Sequence, residues 1–133
     1  MPQRTTVVYA DMNPHTLNPL QTRTLRVNGR DVVVDVEGYL MDLEDWSEEF
    51  ARALAAEEGL ELTDAHWQVI HFISRYYEEH LVQPQVRVMV KHFSQLWDPQ
   101  RGSNHHLHDM FPRGGPQKQG NRLAGIRRTR GEH

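Results

Sequence analysis

The chain has 133 residues, a formal net charge of −3 at neutral pH and no cysteine. Its length suits one folded domain with a core of its own, and the missing cysteine excludes disulfides, thiolate nucleophiles and zinc–thiolate sites. Neither a membrane-spanning apolar run nor the basic-then-apolar order of a signal peptide is found, so we expect a cytoplasmic protein without membrane insertion.

The chain begins with a segment of low apolar content and then a hairpin signal. Residues 1–23 are rich in Pro, Thr, Asn and Gln, and we expect an extension that is partly disordered. Asn28-Gly29 then lies between two β-branched runs, 24–27 and 31–34. Because Asn-Gly between such runs is a strong hairpin signal, a small β-hairpin is predicted to open the domain.

Two helices are predicted between Asp45 and His80. A period of 3.6 residues begins at Asp45, and Gly59 supplies the left-handed residue that commonly ends a helix. Thr63 is a good N-cap for the second helix, which runs to about His80 and which we expect to be central. The apolar stripes expected inside are Trp46, Phe50, Ala53 and Leu54 on the first, and Trp67, Ile70, Phe72 or Ile73, and Tyr77 on the second.

Three shorter helices are predicted after His80. Pro84 and Pro116 occupy the favoured first turn of the third and fifth helices, and Ser103 or Asn104 caps the fourth. Their expected bounds are about 84–98, 103–110 and 116–125. The residues expected inside the third helix are Val86, Val88 or Met89, Val90, Phe93 and Leu96.

These elements predict a mainly α fold (α+β) with a small N-terminal β-hairpin. The domain is expected at 24–125, followed by a flexible C-terminal arm at 126–133. Charge is unevenly distributed along the chain. Acidic residues concentrate in residues 37–64, whereas residues 113–130 contain Arg and Lys but no acidic residue. A basic tail can dock onto an acidic partner or a phosphate backbone, although a solvated helix and a frayed arm would carry the same charges.

Neither a metal site nor a catalytic site is predicted. His105 and His108 can share a helix face, but a metal site needs three or four convergent ligands, and the chain has no His-Glu-x-x-His spacing. The serines lie in no nucleophile-elbow context. Consecutive glutamates on a helix point about 100° apart and so do not face each other as an acid–base couple would. We expect no enzyme, no metal and no cofactor.

Ordered motifs along the chain carry a resemblance to a known family. They read Gly38-Tyr39-Leu40, Asp45-Trp46-Ser47-Glu48-Glu49, Ala55-Ala56-Glu57-Glu58-Gly59, Leu62-Thr63-Asp64-Ala65-His66-Trp67, Tyr76-Tyr77-Glu78-Glu79, Phe111-Pro112, Gly115-Pro116, Lys118-Gln119 and Ala124-Gly125. From about Leu25 to His133 the chain resembles the DsrC/TusE family, that is, the gamma subunit of dissimilatory sulfite reductase and the TusE sulfur-relay protein. The resemblance implies a DsrC-like helical domain with a flexible C-terminal arm.

The resemblance also implies two cysteine positions that this chain does not keep. DsrC-type members carry one cysteine on the last helix and one at the penultimate position, and TusE-type members carry the penultimate one. On this sequence these positions fall on Asn121 and Glu132. Carrying sulfane sulfur requires a thiolate, so this chain is expected to be unable to carry sulfur. Gly120 costs about 1 kcal/mol relative to alanine within a helix, so the last helix is expected to fray.

The leading hypothesis is a non-catalytic protein that binds partners of sulfur metabolism in a regulatory or accessory role. The partner would be a sulfurtransferase, a sulfite reductase or a cysteine-bearing paralogue. The residues expected to contact it are Arg87, Lys118, Gln119, Arg122, Arg127, Arg128 and Arg130.

Two alternatives stay open. The second and third helices have the outline of a helix-turn-helix, as in a DNA-binding regulator of sulfur metabolism, although the acidic block upstream disfavours nearby phosphates. Its recognition helix would expose Gln85, Arg87, Lys91, His92 and Gln95. The other alternative is sulfur relay in tRNA 2-thiolation or sulfite reduction with a thiol supplied by another chain.

Overall fold

The computed structural model describes residues 21–126, and it confirms a mainly α fold with a small N-terminal hairpin. In chain order the elements are β1 Thr22–Val27, β2 Arg30–Asp35, a 3-10 turn Leu43–Asp45, α1 Glu48–Glu57, α2 Asp64–His80, α3 Val86–Leu96, α4 Asn104–Met110 and α5 Gly115–Ala124. No helix among these residues is long and apolar enough to cross a membrane. Most of the predicted extension and nearly all of the predicted arm lie outside the described residues.

The hairpin forms around the Asn28-Gly29 turn, as predicted. Asn28 has a φ of 51° and Gly29 a φ of 84°, the left-handed pair that a two-residue turn of type I′ requires. The strands pair antiparallel, and β1 begins at Thr22, inside the segment predicted to be an extension. Alternate residues of the sheet face the core: Leu25, Val27, Val32 and Val34.

The first helix begins later than its apolar period predicts. The Ser47 hydroxyl accepts a hydrogen bond of 3.0 Å from the Phe50 backbone N–H, and this cap starts α1 at Glu48. The predicted start, Asp45, belongs to the preceding 3-10 turn. Trp46 therefore lies before the helix, and the buried face of α1 consists of Phe50, Ala51, Leu54 and Ala55.

Helix α2 has the predicted Thr63 cap and a polar residue in its buried face. His66 accepts the Thr63 backbone N–H at its Nδ1 (3.1 Å), while its Nε2–H donates to the Met110 carbonyl at the end of α4 (2.8 Å). The buried face is His66, Val69, Ile70 and Ile73. The predicted stripe through Trp67 and Tyr77 is thus offset, and these two residues are half-buried.

Helix α3 presents a narrow buried face. Met89 and Phe93 are buried, whereas Leu96, predicted to lie inside, is 57% exposed, so that prediction is wrong. The helix ends at Leu96, and the next residue, Trp97, packs its ring 4.5 Å from that of Phe93 instead. Pro84 is buried in the connection just before the helix.

The last two helices begin and end at the predicted signals. The Ser103 hydroxyl accepts the His106 backbone N–H at 3.1 Å and caps α4. Helix α5 has Pro116 in its first turn and ends at Gly125, whose φ of 72° is left-handed. It packs against α1, α2 and α4, so the last helix lies inside the bundle rather than on its surface.

Candidate functional site

Helix α5 is the element on which the predicted partner-binding residues concentrate, and it is mostly buried. Within α5, all of which is described, only Lys118 is exposed. The buried residues are Gly115, Pro116, Gln119, Gly120, Asn121, Arg122, Leu123 and Ala124. The expectation of an open basic surface on this helix therefore needs correction, because Gln119 and Arg122 point into the protein.

A buried ion pair holds α5 against the end of α1. The Arg122 guanidinium donates to both Glu58 carboxylate oxygens, from Nε at 3.1 Å and from Nη2 at 2.9 Å. The two side chains are only 10% and 7% exposed. Nη2 of Arg122 also donates to the Arg113 carbonyl at 2.7 Å. This geometry fixes the helix by several charge-assisted hydrogen bonds at once.

Gln119 completes the same cluster, which we call the Glu58 anchor: Glu58, Arg113, Gln119 and Arg122. The Gln119 amide donates to the Glu58 carboxylate at 2.8 Å and accepts the Arg113 backbone N–H at 3.0 Å. Each buried polar group in the anchor thus has partners, as a buried network must for it to stabilise the fold. The anchor joins residues that are distant in sequence.

The pKa of Arg122 lies above its ordinary value. Burial of the guanidinium alone lowers this pKa, but the hydrogen bonds and the negative charge of Glu58, with a smaller contribution from Tyr39, outweigh the burial. The guanidinium also lies 5.9 Å from the centroid of the Tyr39 ring. Arg122 therefore stays cationic, and its charge is neutralised within the protein rather than offered to a partner.

Gly120 allows α5 to approach α2 closely. A Cβ at this position would lie 2.6 Å from the Ile73 Cδ1 atom on α2. The small size of Gly120 therefore serves the packing of α5 on α2, and both of its neighbours in the helix are buried as well. Asn121, the next residue of the helix, is 0% exposed.

The end of α5 is seated on a tryptophan that precedes α1. The Trp46 indole N–H donates to the Leu123 carbonyl at 2.8 Å. A Cβ on Gly125 would collide with the Trp46 ring and lie 3.0 Å from the Leu40 Cδ1 atom. Only glycine fits here without displacement. Sequence reasoning assigned Trp46 to a helix stripe and missed this contact.

Of the remaining predicted partner-binding residues, Arg87 lies in the described part of the chain. Arg87 is exposed at the start of α3, where its Nε donates to the Gln85 side chain at 3.0 Å. The structure does not bring it into the Glu58 anchor. Glu132 and the arm arginines lie outside the described residues; these arginines are Arg127, Arg128 and Arg130.

The residues of the proposed recognition helix are all exposed: Gln85 just before α3, and Arg87, Lys91, His92 and Gln95 on it. The His92 ring, however, stacks on Phe72 of α2 with centroids 4.4 Å apart. This side chain is therefore engaged with the neighbouring helix. Exposure of the other four is equally expected of a solvated helix face.

The histidines of α4 pair locally. His105 lies 3.3 Å from Asp109, and His108 Nδ1 lies 2.9 Å from the Asn104 carbonyl of its own helix. Within residues 21–126, no group of three or more His, Cys, Asp or Glu side chains is placed to hold a metal ion.

Comparison with known proteins gives concordant matches. A family model described as DsrC like protein matches residues 26–131. Sulfurtransferase TusE of Sodalis glossinidius is 40% identical over 102 residues, which are 77% of this chain and 94% of that protein. The NMR structure of DsrC from Allochromatium vinosum is 39% identical with a TM-score of 0.73, covering 83% of this chain and 97% of its own.

A crystal structure matches equally well. The oxidized gamma subunit of the dissimilatory sulfite reductase, DsrC, from Archaeoglobus fulgidus is 34% identical to this chain. The match has a TM-score of 0.75 and covers 82% of this chain and 98% of that one. Sequence and backbone thus agree with the resemblance that the motifs carry.

Proposed function

Because this chain belongs to the DsrC-like family, we propose that it docks on proteins of sulfur relay or sulfite reduction in a regulatory or accessory role. Its relatives are sulfur-relay proteins: one is named a sulfurtransferase, and another is a sulfite reductase gamma subunit. The observation that supports the proposal is the burial of Asn121, which is 0% exposed on the mostly buried helix α5 and which we expect to stand at the position of the family's helical cysteine. The scaffold is kept and the sulfur-carrying atom is not.

The chemistry of the replacements excludes sulfur transfer by this chain alone. A persulfide forms on a thiolate, and neither the Asn121 amide nor the Glu132 carboxylate supplies one. A carboxylate is also a weak nucleophile at neutral pH. A chain with this scaffold therefore occupies a partner's docking surface without receiving its sulfur, and in doing so it regulates access by a cysteine-bearing paralogue.

The predicted partner-binding residues divide into two roles in this proposal. Gln119 and Arg122 belong to the Glu58 anchor and act by holding α5 in place. Lys118 is the exposed charge of α5, and it offers a direct contact. Arg87 and the arginines of the arm, residues 126–133, supply further cationic contacts. A basic surface of this kind suits an acidic docking site on the partner.

A competition experiment tests the proposal. The purified protein is titrated into a preformed complex of a cysteine-bearing family member with its sulfurtransferase or sulfite reductase. We expect displacement, and we expect Lys118→Glu to weaken it. The matched control is Arg75→Glu, which makes the same charge change at an exposed position of α2. Absence of displacement at any concentration contradicts the proposal, and so does equal weakening by both variants.

The same preparation discriminates the alternatives. DNA binding predicts retention of duplex DNA with an affinity that falls steeply as salt rises, whereas docking on a protein predicts no effect of duplex. Relay with a thiol from another chain predicts sulfur transfer that appears only when a cysteine-bearing paralogue is added. Either result replaces the regulatory proposal.

A further inference from the structure

The turn of the hairpin places a side-chain amide directly before a glycine. Asn28 and Gly29 are both exposed, and they connect β1 to β2 as a two-residue turn. The other asparagines of the chain precede cyclic or larger residues: Asn13-Pro14, Asn18-Pro19, Asn104-His105 and Asn121-Arg122. Proline has no backbone N–H, and a side chain on the following residue crowds its backbone nitrogen. Asn28-Gly29 is therefore the pair in which a backbone nitrogen approaches a side-chain amide most freely.

The backbone nitrogen of Gly29 is also not held by a hydrogen bond. The pair Val27↔Arg30 closes the hairpin, so the two turn residues lie outside the ladder. Among residues 21–126, no hydrogen bond engages the Gly29 N–H or the Asn28 side chain. A Cβ on Gly29 would have nothing within 4 Å, so no other part of the described chain packs over the turn. Exposed loop tips of this kind open locally at little cost, and such an opening lets the Gly29 nitrogen reach the Asn28 amide.

The chemistry that follows from this contact needs water and no other co-reactant. The Gly29 nitrogen loses its proton to hydroxide and attacks the Asn28 Cγ atom. The N–Cγ bond forms, the Cγ–Nδ2 bond breaks, and Nδ2 leaves as ammonia with a proton taken from water. Water then opens the resulting five-membered succinimide at one of its two carbonyls. Opening at the former side-chain carbonyl gives aspartate, and opening at the former main-chain carbonyl gives isoaspartate.

We infer that Asn28-Gly29 is a site of spontaneous modification at which the folded protein converts its asparagine to isoaspartate. The reaction adds one negative charge to the formal −3 of the chain. It also brings the Cβ of residue 28 into the main chain and so lengthens the turn by one backbone carbon. The inference concerns the hairpin alone and does not rest on the proposed function.

The extra carbon acts on the closing pair of the hairpin. A turn of type I′ fits a loop of two ordinary residues, with φ values of 51° and 84° at Asn28 and Gly29, and a longer loop does not close the same pair. A slip in register would compensate, but it would turn Leu25, Val32 and Val34 away from the core, in which all three are buried. The strands therefore keep their register, and Val27, which is 2% exposed, loses its pairing with the opposite strand.

Ageing the full chain at mildly alkaline pH tests the inference, because the attacking nitrogen must lose its proton. Trypsin cleaves after Arg26 and Arg30 and so releases residues 27–30 as one peptide. Chromatography with mass spectrometry then measures each product against synthetic peptides that carry Asn, Asp or isoaspartate at position 28. The matched control is Asn28→Gly, since Gly-Gly also forms a type I′ turn but holds no side-chain amide.

We expect Asn28 to convert at least about tenfold faster than Asn104, because a loop tip opens at lower cost than a helix. Isoaspartate should be the main product. In the isoaspartyl protein, hydrogen exchange at the Val27 and Arg30 amides should accelerate about tenfold, since their pair no longer closes. The freshly purified Asn28→Asp variant has the new charge without the extra backbone carbon, and it should keep the native exchange rates.

Three outcomes overturn the inference. Conversion at Asn28 that is no faster than at Asn104 shows that the folded turn is protected. A conversion rate that follows the globally unfolded fraction, as small amounts of urea are added, assigns the reaction to the unfolded chain. Native exchange at Val27 in the isoaspartyl protein, or equal acceleration in Asn28→Asp, excludes the effect of the extra carbon. Circular dichroism confirms that both variants are folded.

Discussion

The Glu58 anchor makes a quantitative prediction about stability. Arg122→Met removes the guanidinium and keeps a stem of similar length, so the apolar packing changes little. The substitution leaves the Glu58 carboxylate, 7% exposed in the native protein, with the Gln119 amide as its remaining partner in the anchor. It also removes the hydrogen bond of 2.7 Å to the Arg113 carbonyl.

The expected cost follows from leaving a charge buried without its counterion. Breaking a buried pair by removing one partner typically costs about 3–5 kcal/mol. The matched control is Arg26→Met, which breaks the 3.0 Å pair with Asp31, where the side chains are 70% and 58% exposed. An exposed pair is worth about 0–1 kcal/mol, so the two identical substitutions should differ severalfold.

Urea unfolding, followed by tryptophan fluorescence and circular dichroism, measures both variants. Trp46 reports directly on the end of α5, because its indole N–H donates to the Leu123 carbonyl. The double variant Glu58→Gln/Arg122→Met removes the orphaned charge and should recover part of the loss, giving a non-additive cycle. The reasoning is refuted if Arg122→Met costs less than about 1 kcal/mol, or if the two losses simply add.

Three further predictions concern the rest of the fold. Gly102→Ala places a Cβ against the backbone at the end of α3, so thermal unfolding should show a loss of about 1–3 kcal/mol or more, and an unchanged midpoint would contradict the packing. His66→Ala removes the hydrogen bond to the Met110 carbonyl and should cost about 1–3 kcal/mol in urea unfolding, whereas a neutral result would show that α4 is held otherwise. The pKa of Asp98 is lowered, first by the Arg101 backbone N–H and then by the Arg101 side chain, so its stabilising effect is present above the ordinary pKa of 3.8 and is lost as the pH falls through the lowered pKa. Asp98→Asn should therefore reduce the loss of unfolding free energy at acid pH. The same pH dependence in the variant and the unsubstituted protein would contradict this role of Asp98.

Features with a local physical cause were predictable from the sequence. The Asn28-Gly29 turn needs only two left-handed residues, and the Thr63 and Ser103 caps need only the backbone N–H groups that follow them. The family resemblance, too, is a property of ordered motifs. Such local features are sufficient to predict the order of the elements and the fold class.

Features that depend on distant partners were not predictable. From the sequence alone, Arg122 is expected to be a surface cation. Its partner Glu58 is distant in sequence, so their ion pair cannot be predicted from a local pattern. From the sequence alone, Gly120 predicts a weakened helix. In the structure, Ile73 of α2 lies where a Cβ on this residue would be. Leu96 fits the apolar period of α3, but the helix ends there and Trp97 takes the packing position. Periodicity shows which residues share a face and not which face is covered.

The proposed function requires that this protein binds a sulfur-relay or sulfite-reductase protein but accepts no sulfur from it. The most direct measurement incubates it with a persulfide-bearing sulfurtransferase of the same organism, isolates the complex and determines the intact mass of each chain. The account predicts a complex in which the mass of this chain is unchanged and the persulfide stays on the partner. A gain of sulfur on this chain, or the absence of any complex with relay and sulfite reductase proteins alike, would contradict it.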